Sequence, residues 1–374
     1  MKMIFRSFCL LLILMGASLS TKAAPDLERD LMNIRPVDFG EGKSRQVFSK
    51  LKHASLPSLH TQIIYPANAI NPKESKGIVI LLPGTSANTS SEFGLMQSLG
   101  PLANQILKKQ FTPLAFQPPI YDQANESAEQ RAPLLEKFSN LESNLDWLAE
   151  ILKLAASLAR DGQKLYLIGR STFAAVSLEA LHRYAQNDSR FEIISKFKSF
   201  GVFGLDGHTR SEIDAWHSAE VEYYFQKHPE KADPAVVLAA PQIFSEMRHQ
   251  TEISTTARPS PEVFVAFGSR DEFCNGCMEA LLKPILGFKN NHPNLSINLV
   301  RHDGYHDISR AIPDARAQTM ARTKVFLDLL FGNTQLDQTS GSQLKIHFIP
   351  DEESVLDPLS TEQRTVCSRL LNSN

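Results

Sequence analysis

The sequence predicts an α/β protein with a mostly parallel sheet of about eight strands and helices on both faces. Three observations carry that expectation. After residue 45, short apolar or alternating runs recur between amphipathic stretches, the pattern that strands and crossover helices leave in a parallel sheet. One such run, Lys164-Leu-Tyr-Leu-Ile-Gly169-Arg170-Ser171, passes directly into an apolar-periodic stretch beginning Thr172-Phe-Ala-Ala-Val-Ser. Two later runs end in turns that hold a carboxylate, Asp271, and an imidazole, His306.

The elements follow in chain order. Met1-Lys-Met-Ile-Phe-Arg6 is a charged start, Ser7 to Leu19 is a short apolar core, and Thr21 and Ala23 are the small residues of a cleavage site. Residues 1–23 therefore read as a signal peptide, which implies export to the periplasm or medium and no stable membrane span once it is cut. Residues 24–44 form an N-terminal segment ahead of the main domain, 45–332. Candidate strands in that domain are Arg45 to Leu51, Leu59 to Tyr65, Gly77 to Leu82, Thr112 to Phe116, Lys164 to Ile168, Phe200 to Leu205, Glu262 to Phe267 and Ser296 to Arg301. The first two, joined through Ser55-Leu-Pro-Ser, look like an antiparallel lead-in.

A helix from about Pro133 to Arg160 carries Leu141, Leu145, Leu148 and Leu152 on one stripe and stops at Asp161-Gly162. The last helix runs from about Asp314 to Phe331 and stops at Gly332. Between the strands near Leu205 and Glu262, residues 206–260 form a cap insertion containing Trp216, Tyr223 and Tyr224. Those aromatics either pack the cap on the body or line an acyl pocket. Residues 333–374 open with a polar Gly/Ser-rich stretch and form a C-terminal extension outside the core pattern.

Charge excludes one class of partner. The chain has 39 Lys and Arg against 41 Asp and Glu, and losing Lys2, Arg6 and Lys22 with the leader takes the mature net charge to about −5, so no basic face for nucleic acid is expected. Nothing in the sequence fixes an oligomeric state. Of the four cysteines, Cys274, Cys277 and Cys367 remain after cleavage, an odd number for an oxidising compartment.

The chemistry centres on Ser171. A sharp strand-to-helix turn lifts a serine hydroxyl out of the chain and brings the amide of the following residue to a helix N-terminus, where it can receive an oxyanion. Gly169 is required two residues earlier because backbone crowds against backbone in such a turn. An activated serine also needs a base and a carboxylate to orient it, both reachable from the same sheet edge. Val263-Phe-Val-Ala-Phe-Gly-Ser-Arg-Asp271 and Asn298-Leu-Val-Arg-His302-Asp-Gly-Tyr-His306 supply them. Asp206, in Gly204-Leu-Asp-Gly, is the alternative acid, and His302 is the alternative base.

These segments together resemble the α/β-hydrolase superfamily over roughly residues 45–332. The resemblance implies an α/β-hydrolase fold, with Ser171 as nucleophile, Asp271 as acid and His306 as base, in the family's order. The Leu81-Leu-Pro83-Gly84-Thr85 turn resembles the family's His-Gly loop with Pro83 in place of His, which implies an oxyanion hole from the amides of Thr85 and Thr172. Phe173 departs from the pattern, which has Gly or Ala there, and is expected to widen or block the elbow. The implied activity is cleavage of carboxylic esters, on a small-molecule or lipid substrate, through an acyl-enzyme and without a cofactor. An acyltransferase on the same triad, and a non-catalytic binding protein whose elbow is blocked by Phe173, are the alternatives.

Two other clusters compete. His302, Asp303, His306 and Asp307 have a metal-like composition, but the two His are four apart in a Gly-containing turn after a strand, so no metal site is expected. Phe273-Cys274-Asn-Gly-Cys277 places a Cys-x-x-Cys at a helix start after an apolar strand, as in a thiol-disulfide oxidoreductase. No cis-Pro turn of that kind follows at a suitable distance, and a local Cys274–Cys277 disulfide bracing the Asp271 turn is the favoured reading.

Overall fold

The computed structural model describes residues 36–38, 45–52, 60–66, 72–82, 102–117, 140–170, 172–203, 252–253, 258–268, 287–302, 316–332 and 344–349. The expected leader, almost all of the expected cap insertion with its aromatics, and all four cysteines lie outside them. No helix among the described residues is long and apolar enough to cross a membrane.

Among the described residues ten strands form one sheet. They are β1 (Pro36–Asp38), β2 (Arg45–Lys52), β3 (His60–Pro66), β4 (Gly77–Leu82), β5 (Thr112–Gln117), β6 (Lys164–Arg170), β7 (Phe197–Phe203), β8 (Glu262–Gly268), β9 (Ile297–His302) and β10 (Leu344–Ile349). Their spatial order is β1-β2-β3-β5-β4-β6-β7-β8-β9-β10. β1, β2 and β3 pair antiparallel with one another and β3 pairs antiparallel with β5, as the sequence indicates for the first two candidate strands. From β5 to β10 every pairing is parallel.

The parallel strands read as continuous apolar runs because both their faces are covered. All six residues of β4 are buried. Alternate residues serve alternate layers. Ile78, Ile80, Leu165, Leu167, Phe200, Val202, Val263, Val265, Ile297 and Leu299 fill one apolar cluster, and Val79, Leu81, Tyr166, Ile168, Phe203, Phe264, Ala266 and Val300 fill the other.

Among the described residues five α-helices flank the sheet: α1 (residues 102–108), α2 (Leu141–Leu158), α3 (Thr172–Ala185), α4 (residues 287–291) and α5 (Arg316–Leu330). The leucine stripe of α2 and the buried face of α3 pack into the first cluster; Leu102 and Ile106 of α1 and Phe326, Leu327 and Leu330 of α5 pack into the second. Helices therefore lie on both faces, as expected.

Two local expectations change and one holds. The helix expected from Pro133 begins at Leu141, because Asn140 holds extended backbone and its Oδ1 accepts the Ser143 N–H at 2.8 Å, forming an N-cap. The last helix does end before Gly332, whose φ of 73° suits a residue without Cβ. The C-terminal extension is not outside the core pattern. After α5 the chain returns as β10, parallel to β9 and in register from Leu344↔Ile297 to Ile349↔His302, completing one more strand-helix-strand crossover.

A polar anchor holds the segments before β8 and before β9 against α3. His292 Nδ1 lies 2.8 Å from the Phe288 carbonyl oxygen, and His292 Nε2 lies 3.0 Å from His182 Nδ1. His182 Nε2 then faces the Glu252 carboxylate at 3.5 Å. Nearby, Tyr184 Oη donates to the Pro259 carbonyl at 2.9 Å, and the Arg258 guanidinium lies 5.2 Å from the Tyr184 ring centre.

Candidate active site

The site is organised by the junction of β6 and α3. β6 ends at Arg170 and α3 begins at Thr172, so the chain turns from strand to helix across the one intervening residue, Ser171. Ser171 itself lies outside the described residues. Thr172 opens the helix and is buried at 2% exposure. Helix N-termini direct their first amides and the positive end of the helix dipole outward, which suits a developing anion.

Gly169 shows why the junction is possible. A Cβ there would stand 2.6 Å from the Phe173 carbonyl oxygen, 2.8 Å from Ser177 Oγ and 3.0 Å from the Phe173 carbonyl carbon. The first turn of α3 thus lies directly on the strand, and only a residue without a side chain fits beneath it. Ser177 reinforces the turn by donating from Oγ to the Phe173 carbonyl at 2.5 Å.

Phe173 does not widen this elbow. The close approach to Gly169 is made by the Phe173 backbone, while its ring is buried in the first apolar cluster at 1% exposure. It meets the Trp147 ring of α2 edge-on, with centres 5.3 Å apart and planes at 60°. The sequence pattern registers an oversized residue at this position but not the direction its side chain takes, which depends on a helix some thirty residues away in the chain.

The other expected residues follow the ends of neighbouring strands. β4, β6, β7, β8 and β9 are consecutive and parallel, so their C-terminal ends share one sheet edge. Thr85 follows β4 by three residues, Asp206 follows β7 by three, Asp271 follows β8 by three and His306 follows β9 by four. Thr85, Asp206, Asp271, His306, Cys274 and Cys277 all lie outside the described residues. Ligands in open α/β sheets bind outside the carboxyl ends of the strands, the edge to which these segments lead.

His302, the alternative base, is the last residue of β9, buried at 1% exposure and paired in register with Gly268 of β8 and Ile349 of β10. It belongs to the strand rather than to the turn that follows. Among the described residues no group of three His, Cys, Asp or Glu is placed to hold a metal ion. The Tyr166 hydroxyl lies away from this edge, in the second apolar cluster, where burial pushes its pKa up to about 12.

No protein-family model and no curated protein sequence matches the chain. Solved structures similar to it include an esterase of Pyrococcus furiosus, at 16% identity and a TM-score of 0.46, with 80% of this chain and 97% of that one covered. A hyperthermophilic esterase of Pyrobaculum calidifontis is 11% identical at a TM-score of 0.43, covering 84% and 92%. Esterase 2 of Thermogutta terrifontis, in a form phosphorylated by paraoxon, is 14% identical at 0.42, covering 78% and 96%. The order of the sheet, its antiparallel first strands and the β6–α3 junction make the architecture of this chain an α/β-hydrolase fold.

Proposed function

We propose that this chain is an exported serine hydrolase that cleaves carboxylic esters through an acyl-enzyme, on small-molecule or lipid substrates. The observation that carries the reading is the β6–Ser171–α3 junction seated on Gly169. A serine in a one-residue strand-to-helix turn is held where its hydroxyl can face a substrate above the sheet edge. In this reading His306 takes the Ser171 proton and returns it to the leaving alcohol, while Asp271 fixes the imidazole tautomer and stabilises the imidazolium. The amides of Thr85 and Thr172 receive the oxyanion of the tetrahedral intermediate.

The order and direction of the strands support these assignments. β8 and β9 are adjacent and parallel, so the segments starting at Gly268 and His302 leave the sheet side by side. β7 separates β6 from β8 and ends at Phe203 on the same edge, which supports Asp206, three residues on in the chain, as the alternative acid. Water resolves the acyl-enzyme. The test is Ser171→Ala, which is expected to lower hydrolysis of short-chain aryl esters by about 10⁴-fold or more while the far-ultraviolet circular dichroism stays unchanged. A variant that keeps more than about a tenth of the wild-type rate refutes the assignment, because oxyanion stabilisation alone cannot supply it.

A further inference from the structure

We infer that Trp147 is a positioning residue for Ser171, acting through the ring of Phe173; this rests on the serine hydrolase reading above. The first turn of α3 is fixed at three points. Its backbone lies on Gly169, with the Phe173 oxygen 2.6 Å from where a Cβ would stand. Its Phe173 carbonyl is tied by the Ser177 hydroxyl at 2.5 Å. Its Phe173 ring is held edge-on by Trp147 at 5.3 Å, both rings being 1% exposed.

The first two points belong to strand and helix themselves. The third comes from another element, α2, and it is the one that a Gly or Ala at position 173 could not make. A small residue would leave the turn located by backbone packing and the Ser177 hydrogen bond alone. With Phe173, any shift or loss of the Trp147 ring opens space on one side of a side chain whose own carbonyl presses on the strand, in an interior packed tightly enough to transmit the strain. Ser171 is two residues away along the same turn, so the displacement passes to the nucleophile. Reactivity falls steeply with misplacement, about 10²-fold for an error of about 1 Å.

The experiment compares Trp147→Leu, Trp147→Phe and a control, Leu158→Ala, which removes a buried side chain of the same helix about 16 Å away along the axis. Ester hydrolysis is measured as separate kcat and KM, with unfolding midpoints recorded for each protein. Trp147→Leu is expected to lower kcat by about 10- to 100-fold with KM within about twofold, Trp147→Phe to restore most of it, and Leu158→Ala to lose stability but keep kcat.

The same substitutions are placed in Ser171→Cys, and alkylation of the thiol by iodoacetamide is followed against pH. That readout reports the surroundings of position 171 whether or not the wild type hydrolyses esters. Trp147→Leu is expected to change the alkylation rate or its apparent pKa severalfold, and Leu158→Ala to leave both unchanged. Absence of hydrolysis from the wild type overturns the hydrolase reading, and the thiol measurement still decides the positioning role. If Trp147→Leu and Leu158→Ala behave alike in both assays, Trp147 is only a core residue. Should Trp147→Leu fail to fold, Trp147→Phe and Phe173→Leu decide the matter by the same two readouts.

Discussion

Replacing Gly169 with Ala puts the elbow under a load that can be worked out from its geometry. The new methyl carbon would stand 2.6 Å from the Phe173 oxygen, where ordinary contact begins near 3.4 Å, so strand and helix must part by about 0.8 Å. The obstacle is backbone and cannot rotate away. Ser177 Oγ, at 2.8 Å, is a second obstacle and is itself held by its bond to the same carbonyl. Overpacking of this kind costs about 1–3 kcal/mol, which lowers the unfolding midpoint by a few degrees to about 10 °C.

The effect on activity is expected to be larger than that on stability. A nucleophile displaced by most of an ångström loses about 10²-fold in kcat, with KM little changed. Thermal unfolding followed by circular dichroism and hydrolysis of a short-chain aryl ester measure the two effects separately. The double variant Gly169→Ala, Ser177→Ala removes only the second obstacle, so it should not recover the rate. Wild-type stability and rate in Gly169→Ala would refute the argument that α3 is seated on this glycine.

Three further outcomes follow from the same account. Asp271→Asn is expected to cut turnover by about 10³- to 10⁴-fold and Asp206→Asn to have a mild effect in the same assay, whereas a reversed order would move the acid to the end of β7. Ending the chain at Gly332 removes β10 and makes β9 an edge strand, so the unfolding midpoint should fall and size-exclusion chromatography should show self-association. Hydrogen bonds from the Arg190 side chain hold the Asp188 carboxyl below its ordinary value of 3.8, so its contribution is full above that pH and is lost as pH falls through the lower folded value. Asp188→Asn should therefore lower the unfolding free energy from urea titration at pH 7 by about 0.2–1 kcal/mol for a part-exposed pair, with the difference from wild type shrinking toward pH 2.

The parallel sheet was legible because strands buried on both faces leave uninterrupted apolar runs, as in Ile78-Val-Ile-Leu-Leu82. The elbow was legible for a different reason. Gly169 is dictated by a backbone clash, and backbone requirements appear directly as residue type. The direction of Phe173 could not be read, since a long-range partner on α2 decides it. The start of α2 was placed too early because its leucine stripe does not mark where the helix begins, although Asn140 is a capping signal.

β10 escaped notice because a polar stretch of eleven residues separates Gly332 from Leu344, and its register on β9 is a tertiary fact. Asp271 and His306 were picked out from their places just beyond Gly268 and His302. The described strands bear on those places only through the shared sheet edge.

The most direct measurement of the central claim is labelling of the purified wild-type protein with a fluorophosphonate, followed by peptide mass spectrometry. An elbow serine activated by a base is phosphonylated at its Oγ, while ordinary surface serines are inert. The account predicts near-stoichiometric modification confined to the peptide containing Ser171, with no labelling of Ser171→Ala and slow labelling of Gly169→Ala. A folded wild-type protein that takes up no label, or takes it up at a residue other than Ser171, would contradict it.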